Sequence, residues 1–376
     1  KLIKKEDESI IDPMLEQVYD NPNQKIFNIE RKAEEILEVK DLKKYNEKEG
    51  LALNEEEIKY LENVSKKIKR KLTDSEVFGF SQVNSEHCRH KIFNGTFIID
   101  NKKKSDSLFD LIKKTSKKNE NEIVSAYKDN VAFVNGPEIE LFTTKKKQSA
   151  DFYKISKIKS VLSLKAETHN FPTTVEPFSG AATGSGGEIR DRMAGGQASF
   201  PLAGTAVYMT SYPRLTKSNT WENKIKERKW LYQSPVDILI KASNGASDYG
   251  NKFGQPLICG SVLTFEHEEN KLSHGYDKVI MLAGGIGFGN KKNSLKKKIK
   301  KGDCIVVLGG DNYRIGMGGS SVSSVATGEY GNKIELNAVQ RANPEMQKRV
   351  FNVIRALGEE NINPILSIHD HGAGGH

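Results

Sequence analysis

Apolar positions along this chain change period as it proceeds. After Asn54, residues Ile58, Leu61, Val64 and Ile68 recur at helical spacing with Glu55–Glu57 in the first turn, which predicts an amphipathic helix. Thr73 with Glu76 forms a capping box ahead of Val77, Phe78 and Val83, and predicts a second helix. This small helical region ends at Ser85–His90, and a weaker helical pattern precedes it at Ile29–Leu42. From about residue 92 the pattern is mixed. Ile92–Asp100 reads as a strand, Leu108–Thr115 as a helix, Ser160–Thr168 as a β-rich run and Ala203–Ser211 as a further strand. A Gly-rich segment, 179–196, lies between the last two. Ser234 and Pro235 suit the cap and first turn of a helix through Ala242, and Lys278–Phe288 is an apolar strand with glycines.

Lys291–Lys301 reads as a linker, and Gly302–Asp303 starts a new unit with strand Cys304–Leu308. Asn343–Pro344 opens a helix that Gly358 closes, and Pro364–Ile368 is a strand ahead of the terminal H-D-H-G-A-G-G-H. Strands and helices alternate without a regular βαβ period, so the expected class is α+β rather than a doubly wound parallel sheet. The expected units are 1–50, a helical region 51–91, an α/β unit 92–290, a linker 291–301 and a second, truncated α/β unit 302–376.

Length and composition set limits on this picture. The chain has 376 residues, 36% hydrophobic, enough for roughly two or three domains with their own cores. It starts at Lys1 and stops at His376 in a Gly-rich stretch, and so reads as a fragment. Cys88, Cys259 and Cys304 are widely separated, which argues against a disulfide framework or zinc site and fits a cytoplasmic setting. Apolar runs such as Val279–Ala283 are too short to span a bilayer, and no signal-peptide core is present. The net charge of +9 comes from scattered lysine runs without interleaved aromatics. That is a solvated surface suited to an anionic substrate, with no nucleic-acid or membrane partner expected.

Several stretches carry candidate chemistry. Residues 180–191 read G-A-A-T-G-S-G-G-E-I-R-D: Gly180, Ala181, Ala182, Thr183, Gly184, Ser185, Gly186, Gly187, Glu188, Ile189, Arg190 and Asp191. As a loop, such glycines let amides approach an anion, while Arg190 pairs with phosphate and Asp191 with magnesium. The run is neither a Walker loop nor a Rossmann fingerprint. In K-A-E-T-H-N-F, alternation puts Lys165, Glu167 and His169 on one face of an extended segment, a set suited to phosphate, magnesium and proton transfer. N-S-E-H-C-R-H-K is dense in donors, with His87 a candidate for substrate binding or acid–base work. A Cys88–His87 nucleophile pair is disfavoured, because neighbours on a strand face opposite ways. Gln340 suits an amide substrate, and Asp370 a further metal ligand.

Together these stretches resemble the large single-chain phosphoribosylformylglycinamidine synthase family. The motifs run from about Gly50 to the end and include S-E-H-C-R-H-K-I-F-N, K-A-E-T-H-N-F-P, P-L-A-G-T-A-V-Y-M-T-S-Y-P-R, V-Q-R-A-N-P-E-M and I-H-D-H-G-A-G-G. The first fifty residues match only loosely, around D-P-M-L-E-Q-V-Y. The resemblance implies a helical linker, then a synthetase domain like aminoimidazole ribonucleotide synthetase. A second synthetase half and a glutaminase domain would follow downstream. It implies ATP-dependent conversion of formylglycinamide ribonucleotide to the amidine with ammonia from glutamine, through an iminophosphate, in purine biosynthesis. By position it implies Lys165 and Gly180 to Asp191 at ATP. Glu167, Asp191 and Asp370 would be at Mg2+, His169 and His87 catalytic, and Thr168, Asn170, Arg190 and Gln340 at substrate. Phe171 replaces a histidine common there, and His90 stands where others carry tyrosine. Another ATP-using member of the superfamily and a basic nucleic-acid-binding protein are the alternatives.

Overall fold

The computed structural model describes residues 35–144, 146, 149–216, 219–227, 229, 232–310 and 318–371. D-P-M-L-E-Q-V-Y, residues 29–34 of the weak helical pattern Ile29–Leu42 and the terminal glycines lie outside these residues, and 35–41 are not helical. The helical region comprises α1 (Leu42–Glu49), α2 (Glu55–Ile68) and α3 (Asp74–Val83). Asn54 and Thr73 cap α2 and α3, and Glu57 and Glu76 return bonds to the cap amides, so both capping boxes close. Leu51, Leu53, Ile58, Leu61, Leu72 and Val77 form their common core.

A turn at Glu86–Arg89 leads to α4 (His90–Asn94), a hairpin of β1 (Ile98–Ile99) and β2 (Lys102–Lys103), and α5 (Leu108–Lys118). The expected strand Ile92–Asp100 is therefore a helical turn followed by a two-residue strand. Phe93 packs on Phe109 of α5, and the Gly95 amide closes the helical turn onto the Ile92 carbonyl.

The main sheet has six strands. They are β3 (Ile123–Ser125), β4 (Ala132–Thr143), β5 (Lys154–Thr168), β6 (Phe200–Thr210), β7 (Leu257–Thr264) and, after the hairpin β8 (Glu266–Glu269) and β9 (Leu272–Gly275), β10 (Ile280–Asn290). Their order is β3-β4-β5-β10-β6-β7, antiparallel except for the parallel β6–β7 pair. Between β5 and β6 the chain forms α6 (Asn170–Val175) and α7 (Pro177–Met193), and between β6 and β7 it forms α8 (Pro235–Phe253). One face of the sheet packs against α7 and α8 through Ala181, Ala206, Ile238, Ala242 and Met281. On β7, Ile258, Val262 and Leu263 are exposed. Farther on come α9 (Gly319–Val322), α10 (Asn332–Asn337) and α11 (Pro344–Gly358). Phe351 and Ile354 of α11 join the core of α7 and α8.

Two expected strands do not form. Cys304–Leu308 and Pro364–Ile368 pair in no ladder among the described residues, and Ile305 is 95% exposed. An apolar run becomes a strand only where a neighbour takes its N–H and C=O groups. The larger correction concerns 179–196, which is not a loop but helix to Met193. Each helical glycine costs about 1 kcal/mol against alanine, and close packing offsets this. A Cβ on Gly180 would sit 2.4 Å from the Pro172 backbone, and one on Gly186 would sit 2.6 Å from the Tyr249 ring.

Candidate active site

Where β5 ends, pleat alternation keeps Lys165 and Glu167 on one face. His169 has left the strand and occupies the cap position of α6. These residues wall a cavity of about 650 Å³, a size that suits a small-molecule site. One side of α7 forms a second wall, and the Glu86–Arg89 turn, the bend between β9 and β10 and Asp370 form others.

An acidic cluster organises the cavity. The Lys165 ammonium lies 2.8 Å from Glu167 Oε2 and 2.6 Å from Asp191 Oδ2. Asn130 Nδ2 donates to Asp191 Oδ1 at 3.3 Å and to Asp370 Oδ1 at 3.4 Å. Arg190 Nε lies 3.5 Å from Asp370 Oδ2. Burial, and then the neighbouring Asp370 carboxylate, push Asp191 up to about 7. Burial works against the charge on Lys165, but Glu167 and Asp191 outweigh it and hold its pKa above the ordinary value.

His169 is neutral at physiological pH, because burial lowers its pKa to about 4 despite Glu167. Its Nδ1 lies 2.5 Å from the Gly180 carbonyl, which only accepts, so Nδ1 carries the proton and Nε2 keeps a free lone pair. His87 Nδ1 lies 3.3 Å from Ser323 Oγ, and burial lowers its pKa as well, against a pull from Glu167. Asn170 Oδ1 accepts from the Met281 amide at 3.0 Å. Thr168 and Gln340 also line the cavity, as does Phe171. His90 does not line it and instead packs on Phe109. Burial, and then Glu167, raise the pKa of the Cys88 thiol, which keeps it protonated.

The Gly-rich run contributes differently from the expected phosphate cradle. Of its residues only Thr183, Gly187, Arg190 and Asp191 line the cavity. Gly180, Ala181, Ala182, Gly184, Ser185, Gly186, Glu188 and Ile189 are buried away from it. Amides in the middle of a helix are already bonded to carbonyls one turn back, so they cannot also wrap an anion. Glu188 and Arg192 form a buried ion pair at 2.7 Å, which Gln255 joins. Among the described residues no three metal-ligating side chains converge. Glu167, Asp191 and Asp370 line one cavity with oxygen donors of the kind a hard divalent cation takes, but the Lys165 ammonium stands between Glu167 and Asp191 and the three do not converge as ligands.

Sequence reasoning left several lining residues unassigned. Arg89 stands inside a donor-dense motif and so carried a signal. Asn130 and Lys278 carried none, since only folding brings them to β5 and α7.

The comparisons agree with this architecture. Residues 300–376 match the model of the AIR synthase related protein, C-terminal domain. Residues 42–91 match the formylglycinamide ribonucleotide amidotransferase linker domain, so the resemblance to phosphoribosylformylglycinamidine synthase is borne out. Among solved structures, Thermotoga maritima PurL complexed with FGAR is 22% identical, with a TM-score of 0.53, over 85% of this chain and 40% of that one. The same protein complexed with ADP is 20% identical over 85% and 38%, with a TM-score of 0.49. Phosphoribosylformylglycinamidine synthase II of that organism is 22% identical over 85% and 38%, with a TM-score of 0.47. The chain thus spans about two fifths of the length of the first of these structures. No helix among the described residues is long and apolar enough to cross a membrane.

Proposed function

We propose that this chain carries the synthetase site that converts formylglycinamide ribonucleotide to its amidine, using ATP and ammonia derived from glutamine. The observation that carries the reading is the joining of Lys165, Glu167, Asp191, Asp370 and a neutral His169 in one cavity. In Thermotoga maritima the similar protein PurL is complexed with FGAR in one structure and with ATP in another. The amide oxygen of the substrate is a poor leaving group. Transfer of the γ-phosphoryl group to it releases ADP and gives an iminophosphate. Ammonia then adds to the carbon, and the C–O bond breaks to release phosphate.

Lys165 binds a phosphoryl oxygen, and Arg190 pairs with developing negative charge. Glu167, Asp191 and Asp370 would hold a magnesium ion, which when bound neutralises charge on the triphosphate. His169 Nε2 accepts a proton from the attacking nitrogen, and the Nδ1–H bond to Gly180 fixes the ring for that task. Asn170, Thr168 and Gln340 orient the amide, and His87 is a second histidine at the substrate. A glutaminase and a second synthetase half are the partners this chemistry calls for, in a cytoplasmic setting.

The test is amidine formation by the full-length protein from formylglycinamide ribonucleotide, ATP and ammonium, with ADP and phosphate produced in step. His169→Ala should lower the rate by roughly 10²–10⁴-fold, the range of general acid–base catalysis. Near-normal turnover in that variant, or ADP release that ignores the ribonucleotide, overturns the reading.

A further inference from the structure

We propose that Ser323 is a positioning residue for His87, and that Gln82 of the helical region holds Ser323 in place by fixing α9. His87 lies in a turn that walls the cavity, and its ring is open rather than packed. Its Nδ1 lies 3.3 Å from Ser323 Oγ, and among the described residues the ring makes no other hydrogen bond. The two residues are 236 positions apart, so only the folded chain brings them together. An open imidazole turns about two single bonds, and a bond to one ring nitrogen selects its rotamer. Serine both donates and accepts, so this bond serves either tautomer and fixes the direction of the ring rather than its proton. Nε2 is left for the substrate.

Ser323 is only as well placed as α9. That helix has four residues, and the amides of its first turn have no acceptor one turn back. Gln82 of α3, itself buried, supplies one. Its Oε1 accepts from the Ser321 amide at 3.4 Å, and its Nε2 donates to Ser321 Oγ at 2.9 Å. A side-chain amide that bonds both the backbone and the hydroxyl of one residue fixes that residue in rotation as well as distance. On the other side Val322 is buried in a cluster with Phe171, Val175 and Val339. The helical region therefore grips α9 from one side and the α6 core from the other, and Ser323 follows directly.

The turn that carries His87 is anchored to the same helices. Glu57 Oε1 on α2 accepts from Asn84 Nδ2 at 2.7 Å and from Lys91 Nζ at 2.9 Å, one on either side of His87. Between these anchors Cys88 and Arg89 hold φ of 60° and 56°, a left-handed conformation that non-glycine residues avoid. Such strain persists only where the surroundings over-determine the backbone, and the Glu57 anchors supply that constraint. Neither Gln82 nor Glu57 lines the cavity, so both act on it through other residues. Ser323 in turn acts through His87, whose place at the substrate rests on the reading above.

The experiment measures amidine formation by the full-length protein in Ser323→Ala, Ser323→Thr, Gln82→Leu, His87→Ala and the His87→Ala/Ser323→Ala double variant. It also reads the order of the His87 ring by NMR relaxation of isotope-labelled histidine. Ser323→Ala should lower kcat by roughly 10–100-fold, the scale on which a displaced catalytic group loses rate, with the KM for ATP unchanged. Ser323→Thr should recover most of the loss, and Gln82→Leu should reproduce part of it. In the His87→Ala background, Ser323→Ala should add almost nothing, because residues that act as a unit are not additive. An added loss equal to that seen with His87 present overturns the assignment, since Ser323 would then act on the substrate by itself. The His87 ring should be less ordered in Ser323→Ala and Gln82→Leu than in wild type or Ser323→Thr. Unchanged ring order in Gln82→Leu overturns the part given to the helical region. If His87→Ala turns over normally, the role of His87 in the proposed reaction fails on its own. Ring order then decides the positioning: its loss in Ser323→Ala supports it, and no change overturns it.

Discussion

Arg192→Met should destabilise the fold in a way that grows with pH. Arg192 is fully buried, and its guanidinium is spent on three partners. Nε donates to Glu188 Oε2 at 2.8 Å, one terminal nitrogen donates to the Ile286 carbonyl at 2.6 Å, and the other donates to Gln255 Oε1. Gln255 Nε2 in turn donates to Glu188 Oε1 at 2.5 Å. Methionine fills much of the volume but supplies no donor, so a buried carboxylate and two carbonyl oxygens lose their partner. Breaking a buried pair from one side costs about 3–5 kcal/mol. Burial already pushes the Glu188 carboxyl up to about 7, with Arg192 holding it down. A carboxyl whose folded pKa lies above its unfolded value favours the protonated fold, so its contribution is greatest below the unfolded pKa and is lost as pH rises through the folded one. In wild type that loss spans the interval from the ordinary glutamate value of 4.5 to about 7. Without Arg192 the window reaches higher, and stability should fall by up to about 1.4 kcal/mol per pH unit through it. Urea unfolding from pH 5 to 8 measures this directly. Adding Glu188→Met should restore much of the loss, since replacing both partners of a buried pair by apolar groups is often near neutral. A single variant within about 1 kcal/mol of wild type at pH 8, below the range for a broken buried pair, would refute the argument.

Two further changes test the cavity and its supporting helix. Asn130→Ala removes the amide that bridges Asp191 and Asp370, and should raise the magnesium concentration needed for half-maximal activity by roughly 10–100-fold, as for other groups that orient metal ligands; an unchanged magnesium titration would exclude the bridging role. Gly180→Ala places a methyl 2.4 Å from the Pro172 backbone and should cost about 1–3 kcal/mol by overpacking, read as a lowered thermal midpoint. A midpoint equal to wild type would mean that α6 and α7 can separate freely.

Legibility followed the range of the interaction concerned. The Thr73–Glu76 capping box is local and was readable because it is closed by residues three apart, whereas Asn54 was read only as the opening of a helix and its box with Glu57 is seen in the structure. Lys165 and Glu167 were likewise readable, because strand alternation alone puts them on one face. Strand Cys304–Leu308 failed because an apolar run states a preference for burial and not the identity of its neighbour. Asn130 and Lys278 lie far along the chain from the residues they meet, and no local pattern marks either.

The Gly-rich run shows how a true signal can carry the wrong mechanism. Glycine clusters in it because backbone and side chains approach closely there, but the approaching group is the protein itself. A Cβ on Gly184 would lie 2.9 Å from the His169 Cβ and 3.2 Å from the ring carbon Cγ. Any larger residue would push the imidazole off its bond to the Gly180 carbonyl, and that bond sets the tautomer which leaves Nε2 able to take a proton. The same helix then presents Arg190 and Asp191 on its next turn toward the cavity. Helical geometry therefore does more for the site than a loop would. It gives the imidazole a rigid carbonyl to donate to and holds a cation and a carboxylate at a fixed distance from it, while its mid-helix amides stay bonded within the helix and face no ligand.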